Sequence, residues 1–352
     1  MLRPKVLHVV DRITGGVPLA VINYISNGPA EYEHSILSPF ANHQPSAVWE
    51  GLDATHHDLG DGLFHRIRQV RRVAATMSAD VIHAHSSFAG AYTRLALSRN
   101  RVAIIYTPHC FSFMRQDISA GTRMAFRWLE GLLGWNTTIL AACSPGERMI
   151  ADSMPSLRGR AAMVPNVSIL DKDSGLADTA LPSIRRVGMT GRVCAQKDPN
   201  YFLRVVERLQ GVAPVKGVWI GDGDPSLMAA LSSAGVAVTG WLTGEELASE
   251  LRSLDLYVHS AAWEGFPLSV LDAAATATPM LVRPIEAFGD LDSALDSEAG
   301  LDALLAAIAS GDLAEWRLAN LRGWADYLRL NTRANQCRML GRVWGDRSLG
   351  DS

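Results

Sequence analysis

The stretch Trp263-Glu264-Gly265-Phe266-Pro267-Leu268-Ser269-Val270-Leu271-Asp272-Ala273-Ala274 decides how this chain is read. It follows an apolar run, Leu254 to Ser260, that suits a buried strand, and it leads into an alanine-rich helix that Pro267 can open. Proline suits a first helical position because its missing N–H would be unpaired there and its φ is already helical. The amides of Leu268 and Ser269 are then free. A helix start at the carboxyl end of a parallel strand joins such donors to the positive end of the helix dipole, which suits phosphate. Glu264 stands just before that start, and Asp272 follows about a turn and a half inside the helix. One acid reaches hydroxyls beside the phosphates and the other those of an adjoining ring, a pattern that fits a nucleotide-sugar. Two acids eight residues apart also arise on solvated helices, and it is the strand and the Glu-Gly-Phe-Pro context that set this pair apart.

Outward from that stretch, β and α segments alternate, which argues for parallel sheets with helical crossovers. In the first half strands are expected at Val6 to Val10, His34 to Pro39, His56 to Leu59, Val81 to His85, Ile104 to Thr107, Thr138 to Ala142 and Ala161 to Val164. A second series is expected at Arg186 to Thr190, Gly217 to Ile220, Val236 to Thr239, Leu254 to His259 and Met280 to Val282. Between them the polar segment from Ser168 to Ser183, broken by Gly and Pro, reads as a linker. This predicts an α/β chain of two doubly wound, Rossmann-like domains: residues 1–170, a linker at 171–184, a second domain at 185–325, and a C-terminal helical segment at 326–352. A length of 352 residues suits two cores of roughly 150 residues each.

Doubly wound sheets bind ligands outside the carboxyl edge of their strands, so the loops there are where chemistry is sought. After the first strand comes Thr14-Gly15-Gly16-Val17-Pro18, whose glycines allow close approach of a ligand; a plain tight turn would look the same. It is not the dinucleotide fingerprint, which needs a third glycine and an acid about 20 residues on. Val81-Ile82-His83-Ala84-His85-Ser86 and Tyr106-Thr107-Pro108-His109-Cys110-Phe111 end two further strands. Alternation puts His83 and His85 on one face, where a buried histidine bonded to backbone is an equally open reading. The polar loop from Phe111 through Arg115 to Thr122 is long enough to cover an acceptor, with His85 and Ser86 beside it. In the second half, Thr190-Gly191-Arg192-Val193-Cys194-Ala195-Gln196-Lys197 offers a planar cationic fork and a compact charge five residues on.

These motifs, in this order, resemble the GT-B-fold retaining glycosyltransferases of family 4, the glycosyl transferases group 1. The resemblance spans almost the whole chain. It implies two domains facing a central cleft, with a last helix, Trp324 to Trp344, that crosses back to the first domain. It implies a nucleoside-diphosphate sugar as donor, held by Arg192 and Lys197 at the diphosphate, with Glu264 orienting the sugar and His109 touching it. Gly15, Gly16, Gly191, Gly221, Gly223, Trp241, Leu242, Gly265, Phe266, Pro267, Leu268, Ser269 and Asp272 would complete the donor site. Retention in this family is attributed to front-face attack, in which the departing phosphate accepts the acceptor's proton. Two cations at the leaving group remove the need for a divalent metal, so no metal or other cofactor is expected. Asp222-Gly223-Asp224 reads as a turn near the nucleotide. Two positions depart from the family pattern: Asp272 stands where a glutamate is usual, and Arg283-Pro284-Ile285-Glu286-Ala287-Phe288-Gly289-Asp290 replaces a small, glycine-rich turn.

Composition narrows the partners. With 48% hydrophobic and 20% charged residues the chain is globular in type. No segment approaches the roughly 20 apolar residues that span a bilayer, and the N-terminus enters a strand without a signal-peptide core, so a cytoplasmic protein is expected. Residues 1–170 hold 16 Lys/Arg against 12 Asp/Glu, and the remainder 17 against 24. Within the basic half, residues 64–73 and 123–135 mix arginines with large apolar groups. Such helices lie on an anionic membrane surface or simply pack on the sheet, and both readings stand. A lipid-linked saccharide at the inner face of the cytoplasmic membrane fits the first as acceptor, as in cell-surface polysaccharide biosynthesis. Nucleic acid is not expected, since the chain is acidic and shows no stacking platform. Cys110, Cys143, Cys194 and Cys337 form no C-x-x-C pair and are read as free thiols. A sugar-nucleotide epimerase, a phosphorylase or a non-catalytic nucleotide-sugar-binding scaffold would share the phosphate site.

Overall fold

The computed structural model describes residues 3–170 and 183–345. The chain forms two compact units, Met1–Val167 together with Asn331–Ser352, and Ser168–Leu330. The expected linker at 171–184 lies outside the described residues except for its last two.

The first unit is built on seven strands: β1 (Lys5–Val10), β2 (Glu33–Ser38), β3 (Thr55–Asp58), β4 (Val81–His85), β5 (Ala103–Thr107), β6 (Ile139–Ala142) and β7 (Ala161–Met163). Its helices are α1 (Gly16–Asn27), α2 (Leu63–Thr76), α3 (Ser87–Ala96), α4 (Ala120–Gly134) and α5 (Pro145–Ser153). The strands pair in parallel in the order β3-β2-β1-β4-β5-β6-β7. Parallel strands covered on both faces read as continuous apolar runs. Val6, Leu7, Val9 and Val10 are accordingly fully buried, and His8 is buried among them.

The second unit holds β8 (Arg186–Thr190), β9 (Lys216–Ile220), β10 (Ala237–Val238), β11 (Leu256–His259) and β12 (Met280–Val282). They also pair in parallel, in the order β10-β9-β8-β11-β12. Its helices are α6 (Pro199–Gln210), α7 (Pro225–Ser233), α8 (Gly244–Arg252), α9 (Leu268–Ala275), α10 (Ala299–Ser310) and α11 (Leu313–Tyr327). Both units are therefore doubly wound α/β domains of Rossmann type. Strand order reverses between β1 and β4 in the first and between β8 and β11 in the second, and that reversal is where such sheets open a ligand crevice.

The strands lie within two residues of their expected ends. The C-terminal segment differs. In place of one helix from Trp324 to Trp344 there are two, α11 and α12 (Arg333–Gly345), broken at residues 328–332. Each half is anchored to its own unit. Trp324 is buried in the second, where its Nε1–H donates to the Met280 carbonyl at 2.8 Å. In α12, Gln336 donates to the Pro165 carbonyl at 2.8 Å and accepts from Asn27 at 2.8 Å, while Leu340, Val343 and Trp344 join the core of the first unit beside Val6, Tyr24 and Ile105.

Candidate functional site

In the second unit the loops after β8 and β11 meet at the carboxyl edge. Lys197 and Glu264 pair at 2.6 Å, with side chains only 16% and 12% exposed. Their backbone frame is tied together: Ser260 Oγ donates to the Lys197 carbonyl at 2.6 Å, the Ala262 N–H to the Gln196 carbonyl at 2.8 Å, and Gln196 Nε2 to the Trp263 carbonyl at 2.9 Å. Arg283, from the turn that departs from the family pattern, donates to Asp198 at 2.7 Å and stacks 4.5 Å over the Tyr201 ring. That turn thus braces the lysine loop from behind. Arg192 is exposed and has no hydrogen-bond or ionic partner among the described residues.

Pro267 proves to be the cap of α9 and not its first residue: its ψ of 122° is extended, and the helix starts at Leu268. The consequence for the amides is small. Leu268 and Ser269 still open the helix, and no side chain caps it. Gly265, Phe266 and Pro267 are buried and set the entry angle of the chain. Asp272 is 4% exposed; its Oδ1 accepts from Ser168 Oγ at 2.6 Å and from the Ile169 N–H at 3.2 Å. Burial raises its pKa to about 6, against the pull of those donors. Below Glu264 lies His259, whose Nδ1 meets the Tyr257 hydroxyl at 3.1 Å; that hydroxyl donates onward to Ser269 Oγ at 2.9 Å. His259 Nε2 is left bare, 3.8 Å from Glu264 Oε1. Burial, with Lys197 adding to it, holds this ring neutral.

Gly221 and Gly223 serve the backbone directly. A β-carbon at Gly221 would stand 2.2 Å from the Gly191 carbonyl oxygen, and one at Gly223 2.2 Å from that of Val193. The two loops continue the β8–β9 pairing past the strands through Gly191 N–H to Ile220 O (2.9 Å) and Val193 N–H to Asp222 O (2.9 Å). Asp224 caps α7 through the amides of Ser226 and Leu227. Trp241 is 57% exposed and Leu242 partly so, beyond β10.

In the first unit, Gly15 (φ 83°) caps α1 and Gly16 begins it, both exposed. His109 and Cys110 take positive φ, 48° and 90°, which L residues rarely adopt. A buried carboxylate holds that turn. Glu147 Oε1 accepts the Cys110 N–H at 2.6 Å and Oε2 the Cys143 N–H at 2.9 Å, while its own N–H donates to Ser144 at 3.0 Å. Two expected acceptor-side residues are corrected. Phe111 is fully buried, stacked on Phe113 at 4.9 Å in the core beside Tyr106, because the turn at His109 directs it inward. His85 is also fully buried, within a row of imidazoles. Its neighbour Ser86 bonds Asp11, and Arg115 is engaged by Asp117 through two bonds at 2.9 and 2.8 Å.

That row runs across one face of the sheet. His8 Nε2 lies 3.1 Å from His34 Nδ1, His8 Nδ1 3.0 Å from His85 Nε2, and His85 Nδ1 3.2 Å from His109 Nε2. His83 lies against His85 but bonds elsewhere: Trp344 Nε1–H donates to its Nδ1 at 3.2 Å, and its Nε2 meets Thr107 Oγ1 at 2.8 Å. His8, His83 and His85 are close enough to hold a metal ion, with ligand atoms within 4.8 Å of one another. All six of their nitrogens already have hydrogen-bond partners. His8 and His34 carried no motif, and Glu147 showed only as the fourth residue of Ser144-Pro145-Gly146-Glu147, a capping pattern.

Comparison with known proteins covers most of the chain. The family described as "Glycosyl transferases group 1" matches residues 184–318, and the "Glycosyl transferase 4-like domain" matches residues 26–167. An uncharacterized 41.2 kDa protein in the cps region of Klebsiella pneumoniae is 23% identical over 82% of this chain and 83% of its own length. The UDP-Gal:alpha-D-GlcNAc-diphosphoundecaprenol alpha-1,3-galactosyltransferase of Escherichia coli is 25% identical over 58% of each chain. Among solved structures, sucrose-phosphate synthase from Thermosynechococcus elongatus superposes with a TM-score of 0.76 at 13% identity, over 97% of this chain and 98% of that one. Anabaena HepE in complex with UDP and glucose does so with a TM-score of 0.74 at 14% identity, over 97% and 99%.

Proposed function

The chain belongs to the group 1 glycosyltransferases of family 4, with the GT-B fold, and from that membership we propose that it moves a sugar from a nucleoside-diphosphate donor to a saccharide or lipid-linked saccharide hydroxyl, with retention at the anomeric carbon. The observation that carries this reading is the Lys197–Glu264 pair beside the open start of α9, with unpartnered Arg192 on the adjoining loop. Arg192 and Lys197 take the diphosphate with the Leu268 and Ser269 amides, and they neutralise the charge that develops on it as the sugar leaves. They fill the place of a divalent metal. As Lys197 turns to phosphate, Glu264 is released to the sugar hydroxyls; Asp272, buried and engaged by Ser168 and the Ile169 N–H, would have to give up those donors to meet the ribose. The departing phosphate accepts the acceptor's proton.

Relatives named for lipid-linked and lipopolysaccharide sugar transfer support a place in cell-surface polysaccharide assembly. A lipid-linked acceptor is further supported by α4, which with its C-cap Trp135 presents Met124, Trp128 and Leu132 to solvent along one side beside Arg123 and Arg127. Among the described residues no helix is long and apolar enough to cross a membrane, so contact would be with its surface.

The test is a thermal-shift screen against UDP, GDP, ADP and their common sugars, with Arg192→Ala alongside. Loss of hydrogen bonds to a charged group costs about 1.5–3 kcal/mol, so the variant should bind its nucleotide some ten- to a hundredfold more weakly. Its ligand-free melting point should match the wild type, since Arg192 has no partner to lose. A cooperative melt unmoved by millimolar nucleotide would defeat the reading.

A further inference from the structure

The row of imidazoles lies across four adjacent elements: His34 on β2, His8 on β1, His85 on β4 and His109 after β5. Each link is of hydrogen-bond length, at 3.1, 3.0 and 3.2 Å. Tyr24 and Trp344 close over it, with Tyr24 5.8 Å from His85 and Trp344 5.8 Å from His8, ring centre to ring centre. Burial keeps every ring neutral: it lowers His34 to about 4 and His109 to about 3, and His8 and His85 well below the usual imidazole value.

A neutral imidazole carries one proton, on one nitrogen or the other. Four rings therefore carry four protons, and three links consume three of them. The fourth has two places to go, His34 Nε2 or His109 Nδ1. Those outer nitrogens have no partner among the described residues. If His34 donates to His8, then His8 donates to His85, His85 to His109, and His109 Nδ1 bears the free N–H. If His109 donates inward, every link reverses and His109 Nδ1 is a bare acceptor. A mixed arrangement sets two N–H groups or two lone pairs face to face, and a buried hydrogen bond is lost.

We propose that these four rings hold a single tautomeric register, so that His34, at the far side of the sheet, fixes whether His109 presents Nδ1 as a donor or as an acceptor in the loop after β5. His34, His8 and His85 are then positioning residues for His109. The charged groups acting on the outer ring are Arg3 and Asp53, and a donor or acceptor placed there is read three rings away. This coupling is a property of the first unit and does not depend on which sugar or nucleotide the chain uses.

The experiment is long-range 1H–15N correlation of histidine-labelled full-length protein at pH 7, which reports which nitrogen of each ring is protonated. The wild type should show four neutral rings protonated in one sense along the row. His34→Lys, able only to donate, should place the His109 proton on Nδ1. His34→Asp, able only to accept, should place it on Nε2, with His8 and His85 switching alongside. His83, held by Trp344 and Thr107, is the internal reference and should stay as it is. Three results would overturn the proposal: the same protonated nitrogen at His109 in both folded variants, a charged ring or mixed sense in the wild type, or stoichiometric divalent metal in the purified protein. If neither variant folds, the wild-type pattern alone decides.

Discussion

At Gly221, φ is 149° and the space a side chain would need is filled by the Gly191 carbonyl oxygen. Because the obstruction is backbone, Gly221→Ala should destabilise the second unit by about 1–3 kcal/mol through overpacking alone, seen as a lower melting point without ligand. An unchanged melt would mean the two loops separate easily. The sequence marks Gly191, Gly221 and Gly223 as unusual, and their approach to a ligand was the natural reading. Gly221 and Gly223 approach the backbone of the facing loop, at Gly191 and Val193, while a β-carbon at Gly191 would meet the Lys197 side chain; the backbone approach depends on strand pairing across 30 residues and leaves no local signal. Arg192, Lys197 and Glu264 stand out in the sequence because ion chemistry at strand ends is tied to residue type. Arg283 was legible only as a departure, since its partner Asp198 lies 85 positions away.

Helix α4 shows how far an element can be read. Its mixture of arginines and large apolar residues is plain, but the pattern does not say which side is inward. The answer turns on Glu130. It is 4% exposed, pairs with buried Arg94 at 2.9 Å and accepts from the Tyr106 hydroxyl at 2.8 Å. A charged residue fixes the inner side, and the tryptophans are left outside. Exposed substitutions usually change stability by no more than about 0.5 kcal/mol, so a Trp128→Ser, Trp135→Ser double variant should melt as the wild type does. The wild type should float with anionic vesicles and the double variant should not. Equal flotation of the two proteins, or none by either, would leave the stripe without a membrane role. Helix α2 is plainer, with Val70, Val73 and Ala74 buried and Phe64 out.

Across the whole molecule, alternation of apolar runs and turns was enough to give both sheets, because a parallel strand buried on both faces advertises itself. Histidines inside such strands do not. In the first unit His8, His34, His83 and His85, with His109 just past β5, have pKa values lowered by burial, and in the second His259 does. Below the unfolded value near 6.5 the unfolded chain binds protons that the folded unit refuses, so stability falls as pH falls. For His34, lowered to about 4, the loss between those values is about 3 kcal/mol. Asp272 acts in the opposite sense. Raised to about 6, it takes up its proton more readily folded than unfolded, so in the second unit acid relieves a penalty that works against the loss at its one strongly lowered histidine, His259. Calorimetry at pH 7.5 and 5.0 should therefore show the first unit's transition falling by more than the second's. Parallel shifts of the two would contradict it.

The break between α11 and α12 bears on how the chain is made. The second unit is contiguous, whereas the first is not: its core waits for Leu340, Val343 and Trp344. Trp344 donates to His83, which precedes it by 261 positions. A ribosome adds about 5–20 residues per second. The amino-terminal sheet is therefore exposed for roughly ten to thirty-five seconds after its own last strand is made, while the unit encoded after it can already close. In vectorial synthesis the first domain begun is the last one finished, and chaperone demand during translation should fall on the seven-stranded sheet with its unmet apolar face.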